Sequence, residues 1–247
     1  MRKTRLLLAF PMLVTAISVI DHGSTLISRS HQVHQLVADL LSASMIMGLA
    51  LYSPYLLQWL AVKPAKVDPP GAFDVLETCT AVLGFSPRLV VLDSPKLEAS
   101  CAGSGRTSTV FVTTGFLRRY SSSTVRATAA HEASHLRLNH SMHQALMFSC
   151  LYLAGRWVGL PSMAMPVLML GYLAVCRAFE FAADQLAAEH VGEEAVIQMV
   201  NDLRPATGPS TLRHARWWSA THQLLCSHPS FDNRVSALKI QLATAAH

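Results

Sequence analysis

The sequence predicts a mainly α-helical membrane protein of about four transmembrane helices, with a small α+β domain on the cytoplasmic side. Three observations carry that expectation. Hydrophobic residues make up 51% of the 247 residues and charged residues only 14%, where a soluble globular domain carries about 25% charged residues. Mean hydropathy is +0.32. Four apolar segments stand apart along the chain, and between the second and third lies a stretch with two strand-like runs and a longer helical pattern.

The first apolar segment, Leu6 to Ile20, follows the basic residues Arg2, Lys3 and Arg5. At about 15 residues it is shorter than the usual ~20 of a span. A retained span and a cleaved signal peptide both fit it, and the lack of a small-x-small cleavage site after Ile20 favours the span. Leu40 to Val62 carries no charge, and its Tyr52 and Trp59 suit a membrane interface. Ala145 to Leu160 and Ser162 to Val175 meet at Gly159-Leu160-Pro161, a turn signal between two spans. Arg156 and Trp157, just before that turn, can snorkel to the interface. A buried hairpin of a soluble protein is the other reading of this pair.

Charge bias gives the orientation. The connection Asp21 to Asp39 holds Arg29 alone, whereas Lys63 to His143 is rich in Lys and Arg. The positive-inside rule therefore puts both termini and the Lys63–His143 stretch in the cytoplasm. The expected organisation is a two-span anchor (1–62), a cytoplasmic α+β part (63–144), a membrane hairpin (145–176) and a C-terminal helical part (177–247). The net charge is +5, but there is no dense Lys/Arg run and no aromatic-basic interleaving, which excludes nucleic acid as a partner. Five scattered cysteines without a CxxC argue against a disulfide framework or a Cys-zinc site, and fit a reducing compartment.

Lys63 to Gly71 reads as a linker leaving the membrane. Phe73 to Gly84 reads as a short helix closed by its glycine. Arg88 to Asp93 and Ser108 to Thr114 read as strands, with the Gly- and Ser-rich Ser100 to Arg106 as a hairpin loop between them. Ser121-Ser122-Ser123-Thr124 offers caps for a helix over Ser122 to His140.

That last helix carries His131-Glu132-Ala133-Ser134-His135. Residues four apart share a helix face, so His131 and His135 can grip one metal ion. Glu132, one position round, can reach a metal-bound water as general base without binding the metal. Such a site needs a third protein ligand and one open position. The candidate lies in Arg177-Ala178-Phe179-Glu180-Phe181-Ala182-Ala183-Asp184, where Arg177, Glu180 and Asp184 share one helix face. Glu180 as ligand and Asp184 as acceptor for a ligand imidazole explain acids on a helix emerging from an apolar run. Further on, Ser227-His228-Pro229 opens a helix with Arg234 six residues after the histidine. His228 and Arg234 can aim two cationic donors at a developing oxyanion. The other histidines, His140 among them, lack a motif partner and read as surface or interface residues.

Together these segments resemble the HtpX / type I CAAX prenyl protease family of membrane zinc metallopeptidases, over about Arg88 to Leu238. His131 to His140 is similar to its HExxHxxxxH form. Arg177 to Asp184 is similar to its RxFEFxAD element, and Ser227 to Arg234 to its SHPxxxxR element, which in the family is implicated in transition-state binding. The resemblance implies a zincin-like catalytic domain, one zinc ion (Zn2+) per chain on His131, His135 and Glu180, and a protein or peptide substrate at the lipid bilayer. It also implies a bacterial plasma-membrane location with the site facing the cytoplasm. One departure concerns the strand after Asp93-Ser94-Pro95, where Glu98 stands in place of the family's Asn in the substrate groove. Val110, Phe111, Val112 and Thr113 are the expected strand for pairing with an extended substrate.

The expected activity is hydrolysis of peptide bonds in membrane or membrane-associated proteins. A regulatory, sensor-type membrane protease is one alternative, though the expected outer loops are too short for a sensor domain. A non-catalytic membrane adaptor with a zinc site is the other. A structural site would have four protein ligands and no adjacent general base.

Overall fold

Glycines set the limits of the helix that precedes the sheet. In the computed structural model, which describes residues 37–45, 69–157, 164–204 and 228–245, helix α1 (Ala72–Leu83) buries Ala72, Val75, Cys79 and Val82. That spacing is one helical stripe. Gly84 closes the helix at φ 77, a conformation that strains any residue with a Cβ. The chain divides into two compact units, Met1–Val62 with Met142–Ser162 and Lys63–Ser141 with Met163–His247. The second unit holds all the elements that build the site.

Three strands follow: β1 (Arg88–Leu92), β2 (Ala99–Ala102) and β3 (Thr109–Thr113), in the order β1-β3-β2. β1 runs parallel to β3, with Arg88 opposite Thr109. β2 runs antiparallel to it, with Cys101 opposite Val110. This corrects the sequence reading of Ser100–Arg106 as one loop between two strands. Ala99-Ser100-Cys101-Ala102 lacks the β-branched and aromatic residues that mark a strand. Its pairing is imposed by β3, whose five residues are all buried. Only the residues after Ala102 turn, through one 3₁₀ turn at Gly105–Thr107.

Helix α2 (Thr114–Arg119) starts directly from β3, its first turn capped by the Thr113 hydroxyl, which accepts from the Phe116 N–H. Helix α3 (Ser122–Arg137) is capped by Ser121, whose Oγ accepts from the Thr124 N–H at 3.2 Å. Ala127, Ala129, Ala130 and Ala133 are all buried on α3. Their small side chains let neighbouring elements approach its backbone closely. The expected helix to His140 in fact stops at Arg137. Leu138 ends it and Asn139 takes a left-handed φ of 53, which asparagine tolerates better than most residues.

Helix α4 (His140–Trp157) begins at once after that turn. Helix α5 (Ala164–Val191) is 28 residues long and carries the Arg177–Asp184 motif without interruption from the apolar segment before it. Gly192, at φ 88, separates it from α6 (Glu193–Asp202), and α7 (Phe231–Ala245) follows His228-Pro229-Ser230. One core joins them: Val75 and Val82 of α1, Val110 and Val112 of β3, Val125 and Leu136 of α3, Ala187 of α5, Val196 and Met199 of α6, and Leu238 of α7.

Pro166–Val191 is the one helix long and apolar enough to cross a membrane among the described residues. Val167, Met169, Leu170 and Val175 on it are exposed. The expected spans Leu6–Ile20 and most of Leu40–Val62, and the turn Gly159-Leu160-Pro161, lie outside the described residues.

Candidate metal centre

α3 and α5 pack against each other and bring the two motifs together. His131 Nε2 lies 3.1 Å from His135 Nε2. Glu180 Oε2 lies 3.6 Å from His131 Nε2, and Glu180 Oε1 lies 3.5 Å from His135 Nε2. Donors about 2.0–2.1 Å from a tetrahedral zinc would stand about 3.3 Å apart. The three separations bracket that value, so the residues present fit a zinc ion. Two imidazoles and one carboxylate are also the donor chemistry of catalytic zinc sites. Among the described residues, this is the one group of three or more His, Cys, Asp or Glu side chains gathered closely enough to hold a metal.

Each ring has its rear nitrogen held. His131 Nδ1 is 2.8 Å from Asp184 Oδ1. Asp184 in turn accepts from Arg234, Nε at 2.7 Å and Nη2 at 2.5 Å. His131, Glu180, Asp184 and Arg234 are all buried. Burial pulls the His131 imidazole down, but its bonds to Asp184 and Glu180 outweigh that and lift it to about 9. Burial and the neighbouring His131 push His135 down to about 3. Burial also raises Glu132 above the ordinary carboxylate value, against the opposing pull of His131 and of the Cys101 thiol bonded to it.

His228 is brought to the same place from the solvent side. Its Nδ1 is 3.1 Å from Glu180 Oε1 while 72% of its side chain remains exposed. The hydrogen bond to Glu180 raises its imidazole. Arg234 makes a contact that the sequence reading did not assign. It reaches the site, but Nε and Nη2 are used on Asp184, and Nη1 stands 3.9 Å from Glu180 Oε2. A buried guanidinium so engaged braces the ligand set. Arg177 lies on the same helix and is half-buried.

The expected substrate strand is also corrected. Val110, Phe111, Val112 and Thr113 belong to the central strand, paired to β1 on one side and to β2 on the other. No backbone edge is left there for a peptide. β2 is the edge strand nearest the site, because the Cys101 side chain bonds Glu132. Glu98, just before β2, is exposed and pairs with Lys96 Nζ at 3.1 Å. Its main-chain oxygen accepts from the Thr113 N–H, extending the sheet by one residue. Sequence reasoning missed Cys101 and His140 as neighbours of the motif. The signal for His140 was its place five residues after His135. Cys101 offered none, because β2 itself was not legible.

Residues 74–241 match the sequence model of peptidase family M48. The chain belongs to that family. The paired histidines and Glu180 form a cluster that could hold a metal ion, and they lie within the matched residues. The fold is similar to that in the crystal structure of Ste24p from S. mikatae, with a TM-score of 0.60 and 16% identity. The match covers 96% of this chain and 63% of that one, so the M48 chain described here spans less than two thirds of the length of Ste24p.

With His131 raised to about 9, a proton on its imidazole at neutral pH would have to leave before a metal ion could bind there. Zinc affinity is expected to rise about tenfold per pH unit from about pH 7 to about 9, then level off. His135, already neutral above about 3, adds no slope in that range. For folding of the metal-free chain the sign is reversed. The raised His131 contributes stability that is fully present below 6.5 and is lost as pH rises through about 9. Chelator competition at several pH values measures the affinity, and a flat profile from pH 7 to 9 would contradict the displacement of this proton.

Proposed function

We propose that the chain is an integral-membrane, zinc-dependent endopeptidase acting on membrane or membrane-associated proteins. The observation that carries this is the convergence of His131, His135 and Glu180 on one point beside the unliganded carboxylate of Glu132. A zinc ion held by the three side chains would polarise a peptide carbonyl and acidify a water. Glu132 takes the proton from the attacking water and passes it to the leaving amine. Its raised proton affinity suits both halves of that task. His228, exposed beside the ligands, donates to the developing oxyanion. Arg234 acts through Asp184, holding the carboxylate that aims His131.

The free edge of β2 is the place for an extended substrate, because main-chain pairing there would carry a peptide past Glu132. The exposed apolar residues of α5 support membrane insertion of that helix. Four spans, with the site facing the cytoplasm, agree with the distribution of Lys and Arg along the sequence.

The test is metal removal and return. Chelator-stripped, detergent-purified protein is expected to lose casein cleavage and to recover it with about one zinc per chain. Cleavage that survives complete stripping would overturn the reading.

A further inference from the structure

His140 stands directly behind one of the proposed ligands, although its sequence context reads as surface. It is buried, with 4% of its surface exposed. Its ring stacks on Phe179, centroids 4.3 Å apart and planes 10° from parallel. It meets the His135 ring edge-on at 4.9 Å and 72°. His140 Nδ1 lies 2.8 Å from His135 Nδ1.

We infer that His140 is a positioning residue whose Nδ1 accepts the rear N–H of His135, fixing the tautomer and aim of that ring. The inference rests on the proposed ligand set. His135 Nε2 faces His131 and Glu180. A neutral imidazole that offers Nε2 to a metal carries its proton on Nδ1. Two ring nitrogens at hydrogen-bonding distance must be one donor and one acceptor. His140 Nδ1 is therefore the bare acceptor.

Local structure explains how residue 140 comes to stand there. Asn139, at φ 53, turns the chain back towards α3. Its side chain is tied to Ser104, whose Oγ lies 2.7 Å from Asn139 Oδ1. Phe179 is the residue before Glu180 on α5, so the surface that holds the His140 ring is rigidly linked to the third ligand. The two ligand histidines are thus braced differently, His131 by a carboxylate and His135 by a neutral ring. A neutral acceptor fixes direction without adding negative charge to a pocket that already holds Glu132, Glu180 and Asp184.

Asparagine and leucine separate this role from packing. They are nearly the same shape and both remove the stacked ring, but Asn places Oδ1 where histidine has Nδ1. Zinc dissociation constants, by chelator competition, would be measured for the full-length parent, His140→Asn and His140→Leu. Unfolding midpoints of the zinc-free forms would be recorded alongside. His140→Leu is expected to bind zinc about 10–100-fold more weakly, and His140→Asn to stay within about threefold of the parent. Parent-like affinity in His140→Leu would overturn the inference. So would an equal loss in both variants, which would mark the ring and not the acceptor as what matters. Should His140→Leu fail to fold, His140→Asn decides alone, a tenfold loss or more counting against the role. A parent that binds no zinc would overturn the ligand set itself, an outcome distinct from a zinc-binding parent that His140→Leu leaves unchanged.

Discussion

Glu132→Gln is expected to keep its zinc and to lose about 100- to 10,000-fold in cleavage rate, the range that a positioned general base supplies. The side chain offers no ligand atom to the cluster of His131, His135 and Glu180. It lies beside them, bonded to the Cys101 thiol. Glutamine keeps the volume and an oxygen that can accept from Cys101, so neither packing nor metal content has a reason to change. What disappears is the ability to hold a proton between the attacking water and the leaving amine. Metal analysis and casein cleavage on the same purified sample measure both. Zinc lost along with activity would make Glu132 part of the ligand set. Activity retained with zinc bound would remove it from the chemistry.

The site was more legible in the sequence than the frame around it, for a physical reason. A metal cluster imposes residue types at fixed helical spacing, so His131 and His135 at i and i+4, and Glu180 and Asp184 at i and i+4, announce both the chemistry and the face. Helix ends were legible where a special residue marks them, as at Ser121 and Gly84. Strand β2 was not. Ala99-Ser100-Cys101-Ala102 has no propensity of its own and becomes a strand only because β3 presents an unpaired edge. With β2 missing, β3 looked like an exposed edge, whereas it is paired on both sides. The end of α3 was misread because Leu138-Asn139 carries no glycine or proline. That two-residue difference turns His140 from a continuation of the helix into a neighbour of His135. Arg234 shows the limit of motif reading from the other side. Its position was foreseen, but only the geometry shows that its Nε and Nη2 bond Asp184.

Asp184→Ala is expected to damage both the fold and the metal site, by amounts that can be read separately. Asp184 is 2% exposed and joins two side chains: His131 through Nδ1 at 2.8 Å, and Arg234 through Nε and Nη2. Removing it strands a buried guanidinium whose remaining carboxylate, Glu180, stands 3.9 Å away. Breaking a buried ion pair on one side costs about 3–5 kcal/mol. Unfolding of the zinc-free variant should register that loss. The rear nitrogen of His131 also loses its acceptor, for which zinc affinity should fall about 10–100-fold. Asp184→Asn separates the two effects. It keeps an oxygen for His131 but not the charge for Arg234, so it should lose much of the stability that Asp184→Ala loses while keeping more of the zinc affinity. If Asp184→Ala bound zinc as the parent does and unfolded at the same midpoint, the Arg234–Asp184–His131 chain would have no function in the site. Arg234 would then return to the role of oxyanion donor that its motif first implied.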